Sequence, residues 1–241
     1  MITGASRGLG RAMAVALAEA GADVALAARA KPELEETAHQ AEAHGARALV
    51  VTTDVSDYAA VERLMGETVS ALGRLDIVVN NSGIAKVAPV ADASLDDWQA
   101  ILGVNLSGVF HGCKAAAPYL IRQRSGKIIN LASVLAAVGL PGYAMYSATK
   151  GGVISMMRGL AVELGRHKIR ANAVLPGWIE TAMTEKALHW DKFVEKVLPR
   201  VPMRRWGKPA DFGAIAVYLV SDASSYHTGD TFLIDGGYSL F

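Results

Sequence analysis

The sequence predicts a doubly wound α/β fold: a parallel sheet covered by helices on both faces, three layers in all. Three observations lead there. Short unbroken apolar runs rich in Val and Ile recur along the chain, as strands buried on both sides require. Longer amphipathic stretches separate them. The alternation is regular, and right-handed crossovers turn such an alternation into one open sheet. The length of 241 residues, 51% of them hydrophobic, provides a substantial core. No linker, repeat or low-complexity segment divides the chain, so 1–241 reads as a single domain.

Taken in order, the apolar runs place strands over 23–28, 46–52, 75–80, 127–131, 170–175 and 231–234. The amphipathic stretches place helices from the first glycine motif to about 20, then over 34–44, 57–72, 96–123, 146–164 and 209–221. Before that motif only Met1 and Ile2 remain to form a first strand, and a central strand of two residues is implausible, so either the start is trimmed or the first strand is unusually short. The rhythm breaks over 180–207, where Leu188, Trp190, Phe193 and Val197 stud a polar helix; an insertion between strands of this kind is a candidate substrate loop or lid.

Charge and composition narrow the function. Lys and Arg number 24 and Asp and Glu 23, a net charge of +1 that does not suggest a nucleic-acid or membrane-surface partner. A single cysteine, Cys113, rules out an internal disulfide and fits a cytoplasmic protein. No apolar run approaches the ~18 residues of a bilayer span. The six histidines form no HxxxH pair, so no metal site is expected. His111, in an apolar helix, reads as a core or interface residue.

The 24 glycines exceed ordinary usage and must serve backbone needs. The first motif runs Thr3-Gly4-Ala5-Ser6-Arg7-Gly8-Leu9-Gly10 into a helix. Closely spaced glycines allow a tight turn and close backbone approach, and the helix N-terminus favours an anionic pyrophosphate. The same residues match a GxSxG nucleophile elbow, with Asp211 and His227 following in hydrolase order, but an elbow at residue 4 cannot lie in mid-sheet. At the end of the next strand, Ala28 and Arg29 stand where an acid would read the ribose hydroxyls of NAD. With Arg7, Arg29 could clamp a 2′-phosphate, or both could be solvated surface arginines. Asp54 and Asn80-Asn81-Ser82-Gly83 end the third and fourth strands, where such sheets bind ligands.

Ser133 follows a buried strand, and Tyr146 and Lys150 share one helix face at i and i+4. An ammonium about 4 Å from a phenolate contributes on the order of 4 kcal/mol at an effective dielectric near 20. That predicts a phenol drawn from its ordinary range toward neutrality, ready to exchange a proton with a substrate oxygen. Asn105 is an awkward amide for a helix interior. Trp178, Trp190 and Phe193 read equally as core or pocket lining, and Arg122, Arg124 and Lys127 as a solvated edge that could also meet an acidic carrier.

Together these motifs resemble, over essentially the whole chain, the short-chain dehydrogenases/reductases. The likeness rests on TGxxxGxG at Thr3 to Gly10, Asp54, Asn80 to Gly83, Asn105, Ser133, Tyr146 to Lys150, Pro176-Gly177 with Thr181, Gly229 and Asp235-Gly236-Gly237. Ser82 stands where the family more often has alanine. The resemblance implies a Rossmann-type domain, hydride exchange between a nicotinamide and a carbonyl or secondary alcohol, and a small-molecule substrate. It implies a catalytic tetrad of Asn105, Ser133, Tyr146 and Lys150, with Tyr146 as acid/base and Asn105 holding a relay water. Its cofactor set would be Gly4, Ser6, Arg7, Gly8, Leu9, Gly10, Arg29, Asp54, Val55, Asn81, Gly83, Tyr146, Lys150, Pro176, Gly177, Ile179 and Thr181. Asp54 would contact adenine, and Asn81 and Gly83 would flank its ribose. Arg7 and Arg29 favour NADP(H), with NAD(H) possible. The family also implies a homotetramer through the 96–123 and 146–164 helices and the C-terminal region, with Gly151 and Gly152 allowing close approach. The chain is similar both to 3-oxoacyl-carrier-protein reductases and to gluconate or polyol dehydrogenases.

Overall fold

A computed structural model describes residues 1–240. It holds seven parallel strands in the order β3-β2-β1-β4-β5-β6-β7, namely β1 (Ile2–Thr3), β2 (Val24–Ala28), β3 (Ala48–Thr52), β4 (Ile77–Asn80), β5 (Gly126–Leu131), β6 (Ile169–Pro176) and β7 (Thr231–Ile234). Successive strand side chains point to opposite faces, and both faces are covered. Ala25 and Ala27 face a core built with Val61, Leu64, Val109 and Met157. Val24 and Leu26 face the other, built with Met13, Leu17, Leu34 and Phe212. Such two-sided burial is why these strands read as continuous apolar runs.

On one face lie α3 (Tyr58–Leu72), α5 (Gly108–Gln123) and α6 (Ala144–Leu164); on the other lie α1 (Gly8–Glu19), α2 (Lys31–Glu42) and α9 (Gly213–Val220). Helix α4 (Leu95–Leu102) leads into α5, and the 180–207 segment holds two short helices, α7 (Glu185–Leu188) and α8 (Asp191–Val197).

Two elements depart from what the local pattern suggests. Strand β1 does have two residues and is nonetheless central, pairing Ile2 with Leu26 on one side and with Val79 on the other. The ladder continues past its ends: Val79 N donates to Met1 O (2.9 Å) and Ala5 N to Ala27 O (3.2 Å). The helix expected over 96–123 is instead interrupted by a π-turn at Gly103–Ser107, which carries Asn105. Asn105 accepts from Ile84 N (2.8 Å) and donates to Ile84 O (2.9 Å). This tertiary clasp occupies the amide at the point where the helix departs from α geometry, a common location for π-turns near functional sites.

Candidate active site

The carboxyl ends of the strands open into one cleft of about 740 Å³. At its floor is the glycine loop between β1 and α1. Gly4 (φ +64°) and Gly8 (φ +58°) adopt the left-handed conformation that side chains resist. Gly4, Ser6, Arg7, Gly8 and Leu9 line the cleft. Gly10 does not: a Cβ there would stand 2.2 Å from Gly4 O, so its lack of a side chain is what lets α1 close onto the loop. Helix α1 has no side-chain cap and no acid in its first turn, leaving its N-terminal amides and dipole toward the cleft.

The loop is braced from behind by residues that its motif does not reveal. Thr37 Oγ1 donates to Ala5 O (2.9 Å), and Arg11 donates to Ser6 O (2.5 Å) and Thr37 Oγ1 (2.9 Å). Asn81 Nδ2 donates to Thr3 O (3.0 Å) and Gly4 O (3.1 Å), and Asn81 N donates to Thr3 Oγ1 (3.0 Å). Both Asn81 Nδ2 hydrogens are therefore engaged by the loop's backbone, while Asn81 itself lines the cleft. Nothing in the local sequence announces Thr37, whose partner Ala5 lies 32 residues away.

Arg29, Asp54 and Val55 line the far end of the cleft with Arg7. Both arginines are exposed, and neither side chain makes a hydrogen bond or salt bridge among the described residues, though the Arg29 charge helps hold the Asp54 carboxyl down. Hydrogen bonds from the Ser56 hydroxyl (2.7 Å) and amide (2.9 Å) hold the Asp54 carboxyl below its usual range. Glu33 also borders this end. Reading only the end of β2 missed this acid, which α2 brings in.

At the opposite end Gly83, Ser133, Tyr146, Lys150, Pro176, Gly177, Ile179 and Thr181 line the cleft. Ser133 ends the β5 segment; its Oγ accepts from Leu135 N (3.2 Å) and hydrogen-bonds to Tyr146. Lys150 is buried and donates to Leu131 O (2.7 Å), its Nζ lying 5.7 Å from the centre of the Tyr146 ring. Burial draws the ammonium down to about 8. Burial also pushes the Tyr146 hydroxyl up to about 12, outweighing the lowering by the Ser133 hydrogen bond, while Tyr143 adds a smaller rise. The phenol predicted to approach neutrality thus holds its proton here. The lysine's charge is engaged by the Leu131 carbonyl, and desolvation of the phenolate dominates. Asn105 lies behind the cleft, fully buried, with both amide hydrogens committed to Ile84 O and Thr149 Oγ1 (3.3 Å). Its side chain has no donor left for a relay water.

Above Tyr146, Trp178 and Phe193 meet edge to face (4.8 Å between centroids) in an apolar cluster that includes Tyr143, Tyr146, Trp206 and Tyr238. Trp190 is 59% exposed and lies outside it. The hydrolase constellation is not assembled: Asp211 pairs with Arg205 (2.7 Å), and His227 pairs with Asp230 (2.9 Å) among Tyr218 and Phe232. His111 Nδ1 meets Val55 O (2.9 Å), and burial pushes the Cys113 thiol up to about 12. No three His, Cys, Asp or Glu side chains among the described residues gather where they could hold a metal ion. No helix among them is long and apolar enough to cross a membrane.

A family model described as enoyl-(acyl carrier protein) reductase matches residues 4–239. The chain is 37% identical to a short-chain type dehydrogenase/reductase from Mycobacterium marinum, whose crystal structure it matches with a TM-score of 0.94 over 99% of this chain and 94% of that one. It belongs to the short-chain dehydrogenase/reductase family. Within that family it is 40% identical to the 3-oxoacyl-[acyl-carrier-protein] reductase FabG of Thermotoga maritima, over 98% of this chain and 96% of that protein. It is 36% identical to gluconate 5-dehydrogenase of Gluconobacter oxydans, over 100% and 94% of the two chains. The crystal structure of a gluconate 5-dehydrogenase from Burkholderia cenocepacia in complex with NADP and tartrate matches with a TM-score of 0.95 at 35% identity, covering 100% of this chain and 94% of that one. As a short-chain dehydrogenase/reductase, the protein is an oxidoreductase that uses a nicotinamide cofactor and acts on CH–OH or C=O groups.

Proposed function

We propose that the protein is an NADP(H)-dependent reductase of a small carbonyl compound, with Tyr146 as the proton donor. One observation carries this reading. A single cleft joins an uncapped helix N-terminus and two unpaired arginines at one end to Ser133, Tyr146 and Lys150 at the other. The residues fit the cofactor. Gly4 and Gly8 leave backbone open to a pyrophosphate at the α1 N-terminus, Arg7 and Arg29 are free for a 2′-phosphate, and the loop from Pro176 to Thr181 borders the nicotinamide end. When bound, the nicotinamide supplies a hydride to the carbonyl carbon.

As that C–H bond forms, the carbonyl π pair moves to oxygen, and the Tyr146 hydroxyl gives its proton to this oxygen. Ser133, hydrogen-bonded to Tyr146, holds the same oxygen. Lys150 faces the resulting phenolate with an ammonium that stabilises it, and the phenolate recovers a proton from solvent. The segment 180–207 serves as the substrate lid. We further assign a cytoplasmic homotetramer assembled through α5 and α6, supported by Val162, 86% exposed on α6, and by Gly151 in open space; Gly152, expected beside it, instead packs against Leu106 of its own chain.

A 3-oxoacyl thioester on a carrier protein is the second reading, favoured by the 40% identity to FabG. An NADPH- and NADH-oxidation screen over acetoacetyl thioesters, diketones, sugar acids and aromatic ketones tests both. Turnover of a free carbonyl with NADPH preferred supports the first, and turnover confined to acyl-carrier thioesters supports the second. A preference for NADH refutes the arginine assignment.

A further inference from the structure

We infer that Thr149 is a positioning residue, whose hydroxyl fixes the helix turn carrying Tyr146 and Lys150 to the π-turn and to the loop after β4. This rests on the proposed roles of Tyr146 and Lys150. Thr149 is completely buried, yet its hydroxyl is used on both sides. It donates to the Tyr146 carbonyl (2.7 Å) and accepts from Asn105 Nδ2 (3.3 Å). Asn105 in turn clasps both backbone groups of Ile84.

The chain Ile84–Asn105–Thr149–Tyr146 therefore joins three segments with every polar atom of the Asn105 amide satisfied. A Cβ built on Gly83 would lie 3.6 Å from both Asn105 Oδ1 and Lys150 Nζ. The amide held by Thr149 thus borders the same space as the lysine ammonium. A hydroxyl that bonds its own helix could satisfy itself by the i−3 back-bond alone. The second bond, to an amide 44 residues away, is what ties that helix turn to the other two segments.

Without the hydroxyl, one Asn105 hydrogen is buried with no acceptor. The amide can relieve this only by turning away from Ile84, which frees the Gly83–Ile84 backbone beside Lys150. The predicted result is a misplaced Tyr146–Lys150 pair on an otherwise intact cofactor cleft.

The test compares Thr149→Ser with Thr149→Ala and Thr149→Val in the full chain, using NADPH and the carbonyl with the highest rate in the screen. Ser should stay within about twofold of the parent, whereas Ala and Val should lose about tenfold in kcat, near 1.4 kcal/mol, with the NADPH dissociation constant within about threefold. In Ala and Val the pH profile of alcohol oxidation should also move its rising limb upward by about half a unit or more, as a less supported phenolate requires. A purely structural threonine would lower the melting temperature and leave that profile in place.

Hydrogen exchange at the Ile84 amide gives a readout that needs no substrate: protection should fall in Ala and persist in Ser. Equal kcat and pH profile in Ala and Ser, a loss of rate without the pH shift, or equal Ile84 protection in the two would each overturn the inference. Ala stands in if Val fails to fold. A fully active Tyr146→Phe enzyme would instead overturn the underlying reading of the site.

Discussion

Replacing Lys150 with methionine should stabilise the protein while destroying its activity. The side chain is 3% exposed, and burial lowers its ammonium from 10.5 to about 8. At 1.36 kcal/mol per unit, holding that charge inside the fold costs about 3 kcal/mol at neutral pH. Methionine fills a similar volume without charge, but it leaves Leu131 O without its 2.7 Å donor, a loss of about 1–2 kcal/mol. The net expectation is a gain of about 1–2 kcal/mol at pH 7.

The sign of the pH dependence follows from the depressed value. Between about 8 and 10.5 the unfolded chain holds the proton that the folded chain has released, so the parent becomes more stable as pH rises through this window. The advantage of Lys150→Met should therefore be complete below pH 8, shrink by about 2 kcal/mol toward pH 10, and vanish there. Urea unfolding of both proteins at pH 7, 8.5 and 10 measures it. A variant less stable than the parent at pH 7, or a difference constant across that range, would show that the ammonium is not desolvated as described.

Other outcomes follow from the same geometry. In Gly10→Ala the new Cβ would meet Gly4 O at 2.2 Å and Asn81 Nδ2 at 2.5 Å, and neither can yield without releasing the loop. A loss of about 1–3 kcal/mol in stability is expected, with weaker NADPH binding measured by fluorescence titration. Arg29→Ala should lower kcat/KM for NADPH about tenfold and leave that for NADH nearly unchanged, which parallel steady-state assays would show. Cys113, buried with its thiol pushed up to about 12, should react with iodoacetamide at pH 8 about a thousandfold more slowly than a free thiol, by mass spectrometry over time.

What the sequence made legible was whatever depends on local pattern. The inner strands read as apolar runs because helices cover both sides of the sheet there, and the glycine loop and the Tyr146–Lys150 spacing are local features as well. What it concealed depends on distant partners. The π-turn at 103–107 accompanies an Asn105–Ile84 clasp across 21 residues, so apolar periodicity reported one unbroken helix. The i, i+4 spacing put Tyr146 and Lys150 on one face, but it could not reveal that the Leu131 carbonyl engages the ammonium or that burial governs the phenol. Strand β1 looked too short to be central because its two flanking ladders, which extend to Met1 and Ala5, are invisible in a two-residue run.

The central claim is that Tyr146 delivers the proton as hydride reaches the substrate carbon. Tyr146→Phe keeps the ring and its packing beside Tyr143 and removes only the hydroxyl. Measured as NADPH oxidation at saturating cofactor with the best carbonyl of the screen, its rate should fall by about a thousandfold or more, the upper part of the range for a lost general acid. Its NADPH dissociation constant should stay within about threefold of the parent. A Tyr146→Phe enzyme that turns over at the parent's rate would contradict the account.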